Sequence, residues 1–321
     1  MLIDRLRTSS CMIAIIAAIL YVDARYSVPG ATGLYLVPLL LIFALGTAWD
    51  ICGLLLRAGF PMHRGVTLLG TAMISAAPAV VMIWNFAAAV MPEWVTPYPE
   101  DCPIGLMGWT TIAGVVAMNL CFLDEIKDYS VASDPLGVLR RLCASLFIAV
   151  YVGLPMSLLL VLRTLGDDIV VNSNAPDAFG NWGLAAVLTM IATTKSTDIG
   201  AYFTGKAMGR RKLIPRLSPG KTVEGSVGGL VLATVVAGAC LAYLFPALSP
   251  HNAPPLALAL LLGPLLGICG MVGDLAQSLV KRACGAKDSG SLLPGMGGVW
   301  DVTDSLIFAS LPAFLCFAAV A

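Results

Sequence analysis

An all-α, polytopic integral membrane protein with about nine transmembrane helices is the fold class this sequence predicts, on three observations. The 321 residues are 58% apolar and 12% charged, with a mean hydropathy of +0.88, whereas soluble domains sit near roughly 45–50% apolar and 25% charged. The apolar residues gather into runs close to the about 20 residues that cross a bilayer. Lys and Arg then fall unequally on alternate sides of those runs. The 19 basic and 19 acidic residues cancel, so net charge points to no nucleic-acid partner, and only its placement informs.

The first run, 9–22, follows Arg5 and Arg7 and has no small-residue cleavage site before Asp23 and Arg25, so it reads as a retained span. The second, 31–49, stops at Asp50, and the third, 66–90, opens after Arg64 and closes at the turn-rich stretch from Pro92 to Pro103. The fourth, 103–122, leads into an acid-bearing loop from Asp124 to Asp134. The fifth, 142–162, lies between Arg141 and Arg163, and the sixth, 181–197, closes on Lys195 and Asp198. The seventh, 225–246, opens on Gly225 and Gly229, a GxxxG pair suited to close helix contact within the chain or between two copies in a homodimer. The eighth, 254–273, ends at Asp274, and the ninth, 305–321, follows Asp304.

One side of these spans collects Arg5, Arg7, Arg57, Arg64, Lys127, Arg140, Arg141, the block from Lys195 to Lys221, and Lys281, Arg282 and Lys287. The other holds Arg25 and Arg163. The excess marks the cytoplasmic side. It sets the amino terminus inside and the carboxyl terminus outside, as for a multi-pass protein of the cell's inner membrane. Within one continuous membrane domain, residues 1–180 read as scaffold and 181–321 as the catalytic region with cytoplasmic motif loops. Asp50 is the exception in the first half: an ionisable group at membrane depth is a functional candidate, or else a paired, interfacial carboxylate.

Seven of the nine cysteines lie inside apolar runs and read as small buried hydrophobes. With His63 and His251 the only histidines, and neither near a cysteine or carboxylate cluster in sequence, a zinc site has almost no ligands.

Chemistry concentrates after residue 194. Lys195 and Asp198 close a span, and the segment Ser218-Pro219-Gly220-Lys221-Thr222-Val223-Glu224-Gly225 sets a Lys and hydroxyls beside the start of the next. Such a loop can offer backbone N–H groups and a cation to phosphate, or be an ordinary positive-inside loop. Asp274, Ser278 and Lys281 share one face if their helix continues. After a Gly-rich loop, Asp301 and Asp304 form an i, i+3 pair. Three carboxylates near lipid stay ionised most cheaply with a divalent cation, for which hard oxygen ligands favour Mg2+, or with Lys281, Arg282 and Lys287 as counter-ions.

At these residues the sequence resembles the phosphatidate cytidylyltransferase (CDP-diacylglycerol synthase) family of integral membrane enzymes. The family signature is matched in spacing by Ser278, Lys281, Arg282, Lys287, Asp288, Gly290, Pro294, Gly297, Gly298, Asp301 and Asp304. The segments from Lys195 and from Ser218 also look like the family, so the likeness spans 195–304. Met296 stands where the family has His, and Val302 where it has Arg.

The resemblance implies that the phosphate of phosphatidate attacks the α-phosphorus of CTP at the membrane and releases pyrophosphate. It implies catalytic roles for Asp274, Asp301, Lys281 and Lys287, and substrate contacts from Lys195, Ser218, Lys221, Thr222, Ser278, Arg282 and Asp288. Mg2+ is expected on Asp274, Asp301 and Asp304, with Asp198 serving a second cation or orienting Lys195. A related lipid-phosphate nucleotidyl- or phosphotransferase, an ion-coupled transporter and an inactive homologue are the competing readings.

Overall fold

The computed structural model describes residues 2–28, 30–99, 101–130, 134–166, 181–250 and 252–321. The helices follow the apolar runs: α1 Leu2–Tyr26, α2 Val37–Arg57, α3 Arg64–Ala76, α4 Ala79–Val90, α5 Gly105–Asp128, α6 Pro135–Thr164, α7 Trp182–Met208, α8 Val223–Ala239, α9 Ala259–Ala283 and α10 Trp300–Ala318. A π-helical stretch, Cys240–Leu244, and a single turn, Phe245–Leu248, extend α8. The one sheet among the described residues is a hairpin of β1 Lys212–Ile214 and β2 Ser218–Thr222, antiparallel, with Lys212 opposite Thr222.

Each expected span overlaps helix, the one at 66–90 divided between α3 and α4. Among the described residues seven helices are long and apolar enough to cross a membrane, or up to eight if α3 and α4, bent by 53°, count as one broken span. The run at 181–197 belongs to α7, which is not among them: Thr193, Thr194, Lys195, Ser196, Thr197 and Asp198 make its second half polar. The expected boundary at 180 and His251 lie outside the described residues.

The chain separates into two compact units, Met1–Val161 with Ala283–Thr303, and Leu162–Arg282 with Asp304–Ala321. In the first, Ile74, Ala77, Ala113, Ala117 and Ala149 form a buried cluster where α3, α5 and α6 meet. The small side chains matter there, because a methyl added at Gly153 would fall 2.7 Å from Ile74 Cβ. Thr47 of α2 and Thr303 at the start of α10 share a buried hydroxyl contact of 2.7 Å.

His63, which the sequence sets apart from any carboxylate, lies among three. Its Nε2 is 2.9 Å from Glu125, and its Nδ1 is 3.3 Å from Asp124 and 3.6 Å from Asp128. Arg141 grips Glu125 from α6 through Nε at 3.0 and 3.1 Å. Those residues sit 62 and 16 positions apart from Glu125, so no local sequence pattern joins them.

In the second unit the rings of Trp182, Phe245 and Phe317 pack edge-on and stacked, and Trp182 Nε1 donates to Asn252 O at 2.8 Å. Glycine brings the helix backbones together. A Cβ on Gly225 would lie 2.7 Å from Ala201 O, and one on Gly229 2.6 Å from Thr197 O. The GxxxG pair is therefore used inside the chain, joining α7 to α8. Among the cysteines read as buried, Cys52 and Cys121 are so, while Cys11 and Cys143 are exposed; on a membrane helix, lipid supplies the apolar surroundings instead.

Candidate active site

Four glycines on α9, at 263, 267, 270 and 273, recur at helical spacing and form a face without side chains. Cβ atoms there would meet Thr234, then Leu230 and Thr197, then Thr194, and finally the backbone oxygen of Asp304 at 2.5 Å. This close approach carries the next residue, Asp274, into a polar cluster with Asp198 and Lys195 of α7 and Asp304 of α10. Lys195, Asp274 and Asp198 all lie within electrostatic reach of Asp304, and Lys195, Asp274 and Lys221 within reach of Asp198. Lys195 Nζ donates to Ser305 Oγ at 2.7 Å. Lys221 reaches in from β2 and pairs with Asp274 Oδ2 at 2.5 Å. Its ammonium nitrogen is buried and makes no hydrogen bond besides that ion contact.

Of these groups, Asp198, Asp274 and Lys221 border a cavity of about 460 Å³ that Tyr202, Lys206 and Thr222 also line. The site thus combines carboxylates, a cation with spare donors, and room for a phosphate-sized anion.

The segment from Ser218 is ordered by its own ends. Thr222 is the N-cap of α8, its hydroxyl oxygen accepting the Gly225 N–H at 3.1 Å. Glu224 accepts the backbone N–H groups of Arg210 and Arg211 at 3.0–3.2 Å, tying the turn after α7 to the start of α8. Lys221 is held between these anchors. Thr222→Val, which keeps the shape and removes the acceptor, is expected to cost about 1 kcal/mol, read as a lower Tm for the purified protein. An unchanged Tm would contradict the cap. Ser218 begins β2, opposite Ile214.

Helix α9 continues through Ala283, so Asp274, Ser278 and Lys281 do share one face. Lys281 Nζ donates to Gln277 Oε1 at 2.7 Å, and Gln277 is buried. Arg282 is exposed.

Lys287, Asp288 and Asp301 belong to the first unit. Asp301 Oδ2 accepts three hydrogen bonds, from Ser289 N at 3.2 Å, Ser289 Oγ at 2.7 Å and Gly298 N at 2.9 Å. That oxygen is the anchor of the 287–298 loop. Asp50, buried in α2, accepts the Trp300 N–H at 3.1 Å. It presses against two signature glycines, since a Cβ on Gly290 or Gly298 would lie 2.2 Å from its carboxylate oxygens. Asp50 is thus held by backbone while it also lines a cavity. Met296, in place of the family's His, meets the Ser9 hydroxyl of α1 through Sδ at 3.3 Å.

A second cavity, of about 680 Å³, is lined by Asp50, Arg57, Arg64, Lys287 and Asp288 with Trp49 and Leu56. In the sequence, Arg57 and Arg64 mark only the cytoplasmic side of their spans. Nothing in their local sequence separates a cavity cation from a positive-inside one.

Among the described residues no group of three or more His, Cys, Asp or Glu side chains is arranged to hold a metal ion. Mg2+, however, commonly takes one or two carboxylates and fills its shell with water and substrate phosphates. The donor chemistry of Asp274, Asp198 and Asp304 fits that manner of binding.

The sequence model of the Cytidylyltransferase family matches residues 3–320. A phosphatidate cytidylyltransferase of Brucella suis biovar 1 (strain 1330) is 46% identical over 134 residues, 42% of this chain and 47% of that one. A phosphatidate cytidylyltransferase of Bacillus subtilis (strain 168) is 44% identical over 127 residues, 40% of this chain and 45% of its own. The uncharacterized protein YnbB of Escherichia coli (strain K12) is 46% identical over 138 residues, 42% and 43% of the two chains. Each match therefore spans less than half of the curated relative.

Proposed function

The chain belongs to the cytidylyltransferase family, and on that premise we propose that it transfers cytidylate from CTP to phosphatidate, giving CDP-diacylglycerol and pyrophosphate. One observation carries the reading: the cavity of the second unit gathers Asp198, Asp274 and Lys221, with Lys195 and Asp304 in electrostatic reach. A triphosphate needs cations to offset its charge and, with Mg2+, carboxylates to share the metal. The cavity has both.

The nucleophile is a phosphate oxygen of phosphatidate, already an anion, so no base has to create it. A bond forms from this oxygen to the α-phosphorus as the α–β P–O bond breaks, and the electron pair leaves on pyrophosphate. Catalysis then rests on alignment and charge neutralisation. Lys221, relieved of Asp274 as nucleotide enters, turns its unused N–H donors to phosphate oxygens. Lys195, steadied by Ser305, balances Asp198 and Asp304. Lys281 and Arg282 at the end of α9, with Ser278 on the Asp274 face, extend the cationic rim. Asp274, assisted by Asp198 and Asp304, would hold Mg2+, which when bound with CTP neutralises phosphate charge and sharpens the leaving group. Asp301 acts through the loop it anchors, which sets Lys287 and Asp288.

The reaction belongs to the cytoplasmic face of the inner membrane, where soluble CTP meets a lipid that stays in the bilayer. The absence of the family's His at Met296 is compatible with a nucleophile that carries its own charge.

CTP labelled at its α- or its γ-phosphate tests the reading with purified protein and phosphatidate, with and without chelator. The expected result is α-label in lipid, no γ-label in lipid, and loss of transfer with chelator. Lipid labelled from the γ-position would make the protein a kinase, and no labelled lipid in either case would sink the proposal. Met296→His is expected to change the rate by less than about tenfold, since base catalysis, worth about 10²–10⁴-fold where it operates, has no role here.

A further inference from the structure

From two hydroxyl contacts between the start of α1 and the 287–298 loop, we infer that Thr8 and Ser9 are positioning residues for that loop. Helix α1 acts as a strap that fixes where the loop presents Lys287 and Asp288. The contacts belong to the first unit whatever the protein catalyses; their effect on rate rests on the reaction proposed above.

Thr8 Oγ1 donates to Pro294 O at 3.1 Å and Ser9 Oγ to Met296 Sδ at 3.3 Å, across 286 and 287 positions of chain. Helical Ser and Thr can return their hydroxyls to a carbonyl one turn earlier in their own helix. These two reach one turn of another segment instead. That turn is closed on itself. Leu293 and Gly297 exchange backbone hydrogen bonds at 2.9 and 3.1 Å, and Met296 N donates to Leu293 O at 3.0 Å. Gly295 and Gly297 supply its left-handed backbone, with φ of 77° and 99°. A push on Pro294 or Met296 is therefore passed on rather than absorbed. The next residue, Gly298, donates to Asp301 Oδ2, and the same oxygen accepts from Ser289 N and Oγ. Through that one carboxylate oxygen the turn is coupled to Ser289 and to its neighbours Asp288 and Lys287.

The rest of α1 suits a strap held at its ends. Near its carboxyl-terminal end Asp23 is buried, and its Oδ1 accepts the Gly33 N–H at 3.1 Å and the Ser27 hydroxyl at 3.3 Å. About 22 Å of helix separates that anchor from Thr8. Between them, Met12, Ile15 and Ile16 line a groove of about 550 Å³ opposite Ile42 and Phe43 of α2, and Ile13 and Tyr21 are exposed. With the middle of the helix set off by that groove, the two hydroxyls carry its amino-terminal end to the loop.

The test compares Ser9→Ala, Thr8→Val and Met296→Leu with the wild-type full chain in detergent. Two quantities are read: amide hydrogen exchange over residues 290–298 without substrate, and the kinetics of cytidylate transfer. Loss of one ordinary hydrogen bond implies turn amides that exchange about threefold faster and a kcat about threefold lower, with Tm and the KM for CTP unchanged. Ser9→Thr, which keeps the hydroxyl, retains the wild-type values. Ser9→Ala/Met296→Leu costs no more than either change alone, because the two share one contact. Unchanged exchange in all three variants would overturn the strap, and strict additivity in the double variant would overturn the Ser9–Met296 pairing. Faster exchange with an unchanged kcat would overturn the positioning role. A wild type that transfers no cytidylate, while exchange responds as expected, would sink the proposed reaction and the kinetic role with it but uphold the contact.

Discussion

Asp274→Asn is expected to lower cytidylate transfer by about 10²–10³-fold, the usual consequence of removing one preorganised electrostatic group from a reaction centre. The substitution also removes the counter-charge of Lys221, whose nitrogen is buried, so lost activity alone would not separate chemistry from stability. A paired variant does. Breaking a buried ion pair by removing one partner is costly, whereas replacing both by apolar groups is often neutral. Both side chains here are partly exposed, 23% for Lys221 and 33% for Asp274, so solvent screening lowers that cost to about 1 kcal/mol. Lys221→Met/Asp274→Leu is accordingly expected to regain the Tm of the parent while remaining inactive. Activity recovered with stability would assign the pair to architecture.

Gly298→Ala is expected to be among the most damaging single-methyl changes in the first unit. Its Cβ would lie 2.2 Å from both Asp50 Oδ2 and Ser289 Oγ, and neither can move cheaply. Asp50 is buried and holds the Trp300 N–H, and Ser289 is buried and hydrogen-bonded to Asp301. Overpacking of this kind costs about 1–3 kcal/mol, and displacing Asp50 would add the loss of a buried hydrogen bond to a charged group, about 1.5–3 kcal/mol. A marked drop in Tm is the readout. Gly114→Ala in α5, where a Cβ meets nothing within 4 Å, is the comparison and should leave Tm unchanged or raised. Asp50→Ala combined with Gly298→Ala should cost less than the two separately, since one substitution vacates the space the other fills. Strict additivity would contradict the contact.

The signals that local sequence carries and those it does not divide along physical lines. Apolar length and charge alternation are properties of a single segment, and each expected span overlaps helix, although the one at 66–90 is broken between α3 and α4. The Asp274, Ser278 and Lys281 face follows from the helical period once α9 runs through Ala283. Gly225 and Gly229 reveal close helix contact, but not which helix; only the fold identifies α7. Thr222 has a structural role that residue type alone does not reveal. A hydroxyl beside a helix start suggests a phosphate contact; its oxygen caps α8, and the residue also lines the cavity of the second unit.

Contacts between distant positions leave no such trace. Asp50 meets Trp300 across 250 positions, and His63 meets Glu125 across 62. For that reason Asp50 could be flagged by its depth and not by its partner, and His63 went unlinked to any carboxylate. Asp301 illustrates the same limit: its place one turn before Asp304 points to a shared ion, and nothing local shows that its Oδ2 also accepts from Ser289 and Gly298.

Equilibrium binding of CTP, by isothermal titration of the purified protein with and without Mg2+, reaches most directly the claim that the Asp198–Asp274–Lys221 cavity receives the nucleotide. Wild type is expected to bind CTP more tightly with Mg2+ than without, and the stable Lys221→Met/Asp274→Leu variant to lose that difference. Equal, Mg2+-dependent binding by both proteins would contradict the account.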